Sequence, residues 1–372
     1  MKKFLTTTLL ASMLATPVMA TDFIANTFYD AQHPLAKYGY TEWADMVKDL
    51  SGGDLNPQVF TGTVLLAPRA SLQGIRDNVV QVGHHAAIYT PSDLPVANAV
   101  QELGFNYSDP LAAIFAVADF SMHDAAQLAE WDDQGVVYLG AYATPPYILM
   151  CAKPVRNLAE LKGKRIRTAG SAVSAWVEEA GGVPVNVPSS EMYTGLERGT
   201  LDCATNAAND LVDRSLMEVA EHTTLLPTGM YWSGPNWGFN PGFWSSLTAE
   251  QRSVFMQASA RSMARLVINY TAQAESALET AKEKGGNVYE PEADLAASVE
   301  DFRAKTLAGV YDKAAETYGL SDAKPVIDDF RATMDKWTAL LADVDTTDED
   351  ALTALAMSEI YADIDPATYG VK

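Results

Sequence analysis

The sequence predicts a two-domain α/β protein with long C-terminal helices that span both domains. Three observations carry this expectation. Residues 157–210 alternate strand, helix, strand, helix, strand on short connections, the pattern of a parallel α/β layer. Residues 21–83 open a second alternation of the same kind. From Thr248 onward the chain reads as almost entirely helical. A length of 372 residues fits two domains, and an apolar fraction of 48% is ample for buried cores.

Taken in order, the N-terminus begins MKKFLTTTLLASMLATPVMA. Lys2 and Lys3 form a charged start, Phe4 to Leu14 an apolar run, and Val18-Met19-Ala20 a small-residue cleavage site. This pattern predicts a secretory signal peptide over 1–20, too short to span a hydrocarbon core of about 30 Å. Thr21–Thr27 reads as a strand and His33–Leu50 as a helix broken by Ser51-Gly52-Gly53. Pro57–Phe60 reads as a strand, Ala70–Val79 as a helix, and Val80–Gly83 as a strand leading into His84-His85. Helices follow over Leu94–Phe105 and Asp109–Trp131, then a strand over Gly135–Thr144. Pro145-Pro146 punctuates the chain as a crossing between domains.

Tyr147–Pro154 starts the second unit. Its centre holds strands at Lys164–Thr168, Val183–Val187 and Leu201–Asn206, with helices at Ser171–Ala180 and Ser189–Glu197. Asp210–Thr224 continues as helix and strand. The run YWSGPNWGFNPGFW (231–244) packs three Trp, three Gly and two Pro into fourteen residues, which reads as a return crossing lining a cleft, or else as a loop packed on the core. Thr248–Lys284 is a long helix opened by a Thr248/Gln251 capping box, with Val254, Ala258, Met263, Val267 and Tyr270 as its apolar stripe. A short strand at Val288–Glu290 and helices at Ala293–Tyr318, Ala323–Leu341 and Asp350–Tyr361 complete the chain. The expected domains are 21–144 with 234–275, and 145–233 with 276–372.

The central stretch also carries a family resemblance. Leu161, Lys162, Gly163, Arg167, Gly182, Pro184, Ser190, Glu191, Tyr193, Leu196, Gly199, Asp202 and Asn206 occur in the order found in the periplasmic solute-binding proteins (DctP type) of tripartite ATP-independent periplasmic (TRAP) transporters. Weaker similarity extends over most of the chain after the signal peptide. Two positions depart from the family pattern: Cys203 stands where Gly is usual, and Thr205-Asn206-Ala207 replaces a frequent Glu-Asn-Pro. The resemblance implies a two-domain periplasmic binding protein with a hinged cleft that closes on a small ligand. It also implies periplasmic localisation and docking on the two membrane permease subunits of an ion-gradient-driven transporter.

Composition narrows the function. The formal charge is −22, with 26 Lys and Arg against 48 Asp and Glu. That excludes a nucleic-acid or anionic-membrane partner but leaves room for one local cation. No segment after the signal peptide is long and apolar enough for direct membrane insertion. The two cysteines, Cys151 and Cys203, fall in predicted strands of the same half, and both a disulfide and two buried thiols fit. No Gly-x-Ser-x-Gly, phosphate loop, His-Glu-x-x-His or Gly-x-Gly-x-x-Gly is present, so no catalytic residue, no enzyme activity, no cofactor and no metal are expected.

Ligands of parallel sheets sit at the carboxyl ends of strands. Arg167 closes one predicted strand there, and its guanidinium fork matches a carboxylate or sulfonate. The resemblance implies that Arg167 pairs with the ligand's acid group and that Asn206 bonds the same group. It further implies ligand-lining places for Asn26 and His84. Tyr147 stands where some members have a second Arg, which favours a ligand with one acid group. Tyr231, Trp232 and Trp237 are expected either to stack on the ligand or simply to fill the domain interface. The expected ligand is therefore a small organic acid. A neutral, zwitterionic or cationic solute in an aromatic-lined site and an exported enzyme using the same cleft, with His84 as base, are the alternatives.

Overall fold

The structure is a computed structural model and describes residues 20–372. The predicted signal peptide therefore falls, but for Ala20, outside the described residues. Strands β1 (Thr21–Asn26), β2 (Leu55–Phe60), β3 (Val82–Gly83) and β4 (Val137–Tyr138) come first. They are followed by β5 (Ile148–Cys151), β6 (Arg165–Arg167), β7 (Val183–Val185), β8 (Cys203–Asn206) and β9 (His222–Thr224). The last two are β10 (Gly238–Phe239) and β11 (Asn287–Tyr289). They form two mixed sheets, in the orders β2-β1-β3-β10-β4 and β11-β9-β5-β8-β6-β7.

Most predicted elements form within a few residues of their expected ends. In the central stretch β6 lies between β7 and β8 and runs parallel to both, as the alternation requires. Pro57 is tolerated within β2 because β2 is an edge strand, where a missing N–H leaves no ladder bond unmade. The strand expected over Gly135–Thr144 shortens to Val137–Tyr138; beyond it the chain turns out of the sheet toward β5. β5 then pairs antiparallel with both β8 and β9, which makes the second sheet mixed. That pairing sets Cys151 opposite Cys203, and the two form a disulfide.

Two long helices tie the lobes together. The helix Ala249–Glu283 opens on the expected capping box, Thr248 with Gln251. At 35 residues it is about 52 Å long. Its first part buries Phe255, Met256, Met263, Val267 and Tyr270 in the core of the first sheet. Its last turns bury Ala274 and Ala281 in the second lobe. The helix Ala293–Tyr318 runs the other way, with Leu295, Val299 and Phe302 in the second lobe and Val310 and Ala314 in the first.

The C-terminal helices Ala323–Leu341 and Glu349–Ala356 pack on the first lobe. Phe330 meets Phe120 and Trp232, Trp337 stacks on Phe115 at 5.0 Å, and the Trp337 indole donates to Asp119. Residues 323–364, expected with the second domain, thus contribute to the core of the first. Covering the apolar helix Pro110–His123 is the reason: nearly all of its side chains are buried, which requires protein on every side.

Candidate ligand-binding cleft

The carboxyl ends of β1, β3, β6 and β8 face the gap between the lobes, and the segments just beyond them build its walls. Tyr29 and His33 follow β1; Ala86, Ile88 and Tyr89 follow β3; Ala169 follows β6; Ser189 follows β7; Asn206 ends β8. Tyr147, Tyr231 and Tyr270 complete an enclosure that also takes in Arg167. Its free volume is about 10 Å³, room for one water molecule rather than an organic molecule. Larger grooves lie on the outer surface, one of about 390 Å³ beside Trp131 and Tyr369 and one of about 450 Å³ beside Leu111 and Val267. Neither is lined by a buried cation.

Arg167 is 2% exposed. Its Nε donates to the Val187 carbonyl and its Nη1 to the Thr205 carbonyl, each at 3.1 Å. These two bonds fix the guanidinium plane against the edges of the sheet and leave Nη2 and one Nη1 hydrogen available. Among the described residues no carboxylate lies within 4.0 Å of it, unlike Arg165 two residues earlier, which is paired with Asp202 at 2.9 Å. A buried cation held only by neutral carbonyls is poised for an anion.

Asn206 also lines the enclosure, but its amide nitrogen is committed. Nδ2 donates to Asp210 Oδ2 at 2.5 Å and lies 3.8 Å from the Met192 sulfur. Asp210 is 1% exposed and sits in a charged cluster. Arg214 Nε lies 3.2 Å from Asp210 Oδ2, a charge contact rather than an aligned hydrogen bond, and His33 Nε2 lies 3.5 Å from Oδ1. Burial raises the Asp210 carboxyl above its ordinary range, opposed by the charges of Arg214 and Arg167. Arg214 reaches the first lobe, 5.4 Å from the Tyr29 ring and 3.5 Å from Asp30.

His33 is locked as one neutral tautomer. Its Nδ1 accepts from the Leu35 N–H at 3.1 Å, which places the ring proton on Nε2, facing Asp210 and the Tyr270 hydroxyl. Burial, then the nearby Arg214 charge, lowers its pKa well below the usual value. The five tyrosines of the enclosure present flat faces and hydroxyls. Burial raises the Tyr147 phenol, partly offset by Arg167. Tyr231 accepts from the Ile88 N–H at 2.8 Å, and Tyr89 accepts from the Ser189 N–H at 3.2 Å, across the gap. The Ser189 hydroxyl itself is buried with no partner among the described residues.

The structure therefore brings Arg167, Asn206, Tyr147 and Tyr231 together and leaves Asn26, His84, Trp232 and Trp237 aside. Asn26 donates its amide to the Phe60 carbonyl at 3.1 Å, bracing β1 against β2. His84 lies behind Tyr29, enclosed by the Phe28, Tyr29 and Tyr142 rings and bonded to Asn236 at 3.1 Å. Burial lowers its pKa to about 3. Trp232 packs on Tyr107 and Phe330 in the first core, and the Trp237 indole donates to the Gly39 carbonyl. The sequence reading missed Tyr29, His33, Tyr89, Ser189, Tyr270, Asp210 and Arg214. Only Asp210 and Arg214 had a local cue, as acid and base at i,i+4 four residues past a strand end. Among the described residues no group of three or more His, Cys, Asp or Glu is disposed to hold a metal, and no helix is long and apolar enough to cross a membrane.

Comparisons with known proteins agree with this architecture. The family described as bacterial extracellular solute-binding protein, family 7 (DctP), matches residues 25–316. The 2,3-diketo-L-gulonate-binding periplasmic protein YiaO of Escherichia coli is 26% identical over 199 residues, 53% of this chain and 58% of that protein. The C4-dicarboxylate-binding periplasmic protein DctP of Rhodobacter capsulatus is 25% identical over 193 residues, 52% of this chain and 56% of that protein. The chain thus spans little more than half the length of these curated relatives. Among solved structures, a TRAP solute-binding protein from Rhodoferax ferrireducens in complex with benzoate superposes with a TM-score of 0.77 at 19% identity, covering 87% of this chain and 100% of that one. A Bordetella pertussis receptor binding pyroglutamic acid superposes with a TM-score of 0.69 at 23% identity, covering 84% and 100%. At such identities the likeness shows the fold.

Proposed function

Because the chain belongs to family 7 of the bacterial extracellular solute-binding proteins, we propose that it is the solute-binding component of a TRAP transporter. It captures a small organic anion, a carboxylate or sulfonate, on Arg167 and delivers it to a membrane permease for ion-gradient-driven uptake. The observation that carries this reading is the state of Arg167: buried, braced by two carbonyls, without a carboxylate, and facing a tyrosine-lined enclosure between two lobes. The ligand's acid group takes the free Nη2 side of the fork, and the unpartnered Ser189 hydroxyl is placed to join it. Of the two buried arginines near the enclosure, Arg214 has Asp210 and Asp30 beside it, whereas Arg167 has no carboxylate within 4.0 Å among the described residues. A single unpaired guanidinium favours an anion with a single acid group.

Relatives support the class of ligand. Structures of the same fold hold benzoate, pyroglutamate, mandelate and glucuronate, all carboxylates. Among the described residues the cleft assembles no nucleophile with a base: His84, the base that an enzyme reading would need, is sealed behind aromatic rings. We read the protein as a carrier in the periplasm that releases its ligand unchanged. A thermal-shift screen of the chain without residues 1–20 against small carboxylates, sulfonates and amines tests this. Stabilisation by acids and not by amines is the expected outcome; stabilisation by amines alone would overturn it.

A further inference from the structure

Resting on Arg167 as the acid anchor, we propose that Asn206 turns its carbonyl oxygen to the ligand. The site then selects acids that carry an O–H or N–H donor beside the acid group, and Asp210 is the positioning residue that sets this polarity.

A primary amide has two ends of nearly equal shape, so its neighbours decide which one a ligand meets. Here one N–H of Asn206 goes to Asp210 Oδ2 at 2.5 Å and the other faces the Met192 sulfur at 3.8 Å. Turning the amide over would set its oxygen against a buried carboxylate, two acceptors with no proton between them. Asp210 is itself held by Arg214 at 3.2 Å, by the Asn209 amide at 3.2 Å, and by the Nε2–H of His33. Asn206 Oδ1 accepts from no donor among the described residues, and the residue lines the enclosure. A group that offers only an acceptor repels a carboxylate and receives a hydroxyl or amide N–H.

Arg167 and Asn206 line the same enclosure. Arg167 Nη1 is bonded to the carbonyl of Thr205, the residue just before Asn206. An acid group on the free face of the fork therefore lies next to the Asn206 side chain. A donor on or beside the carbon that bears the acid spans that interval. This differs from the role the sequence implied for Asn206, which was to donate to the acid itself.

The test measures affinity ratios by calorimetry on the chain without residues 1–20, using paired probes: mandelate with phenylacetate, lactate with propionate, and pyroglutamate with cyclopentanecarboxylate. The expected result is a preference of about tenfold or more for the donor-bearing member of any pair that binds, the worth of one well-made hydrogen bond. Asp210→Asn and Asn206→Ala should each reduce that ratio to about threefold or less. A lost packing contact would weaken both members alike and leave the ratio unchanged, so an unchanged ratio in folded variants overturns the proposal. So does the absence of a preference in the unmodified protein. Arg167→Ala separates the two readings, because the anchor governs affinity for the donor-free acids while this inference governs the ratio. Failure of every acid to bind would overturn both.

Discussion

Arg167 and Asn206 show how far single residues can be read from sequence. An arginine at a strand's carboxyl end in so acidic a chain was a legible signal, and among the described residues no carboxylate pairs with that side chain. Arg167→Lys should weaken binding of a cognate acid measurably, because an ammonium cannot hold both backbone carbonyls and still offer a fork; unchanged affinity in a titration would show that the fork is not used. Of the five tyrosines of the enclosure, Tyr147 and Tyr231 were legible beside the domain crossings, and Tyr29, Tyr89 and Tyr270 were not. The five come from separate segments, and Tyr270 lies mid-helix, where its spacing is that of a core stripe. Trp232 was misplaced for the mirror-image reason: an aromatic near a crossing looks the same in sequence whether it faces a ligand or Phe330.

The buried histidines give a pH prediction at the same scale. His84 and His85 both have pKa values lowered to about 3 by burial, whereas an unfolded histidine titrates near 6.5. Between those values the unfolded chain binds more protons, so stability falls as pH falls from about 6.5. From pH 7 to 5 each should remove about 2 kcal/mol, read as a lower urea midpoint. His84→Gln should flatten the dependence by about one histidine's share. A pH-independent midpoint over this range would contradict the assignment of both rings as neutral and buried.

At the level of elements, the alternation in 157–210 was readable because its strands are sequential neighbours on short connections. The partner of β5 was not, because an antiparallel strand arriving from another lobe leaves no local mark. For that reason the Cys151–Cys203 pairing stayed open until the register was known. The bond closes a separation of 52 residues and ties β5, the entry to the second lobe, to β8, which carries Asn206. By the loop-entropy relation it contributes about 4 kcal/mol. The double variant Cys151→Ala/Cys203→Ala should lose about that much in denaturant melts, and equal stability would show that the unfolded chain is not constrained by the bond.

For the whole molecule, the decisive quantity is the small free volume between the lobes. A space for one water cannot admit an organic acid, so the proposed function requires the lobes to part for a ligand to enter. Contacts that bridge the gap include Tyr89 with the Ser189 N–H, and Glu102 with Ser171. Tyr89→Phe should lower ligand affinity by about 0.5–1.5 kcal/mol while leaving unliganded stability nearly unchanged. Small-angle scattering should show a smaller radius of gyration with a bound acid than without. A radius that does not respond to a saturating ligand would contradict the closing motion. We draw the domain boundary so that residues 323–364 go with the first lobe, since their apolar faces cover its helix Pro110–His123.

One calorimetric comparison reaches the centre of the account: the acid that most stabilises the protein, titrated into the unmodified chain and into Arg167→Ala. A buried acid group left without its partner should cost roughly 2–5 kcal/mol of binding energy, so the variant should show at least a thirtyfold weaker affinity. Equal affinity in the two proteins would place the anion elsewhere.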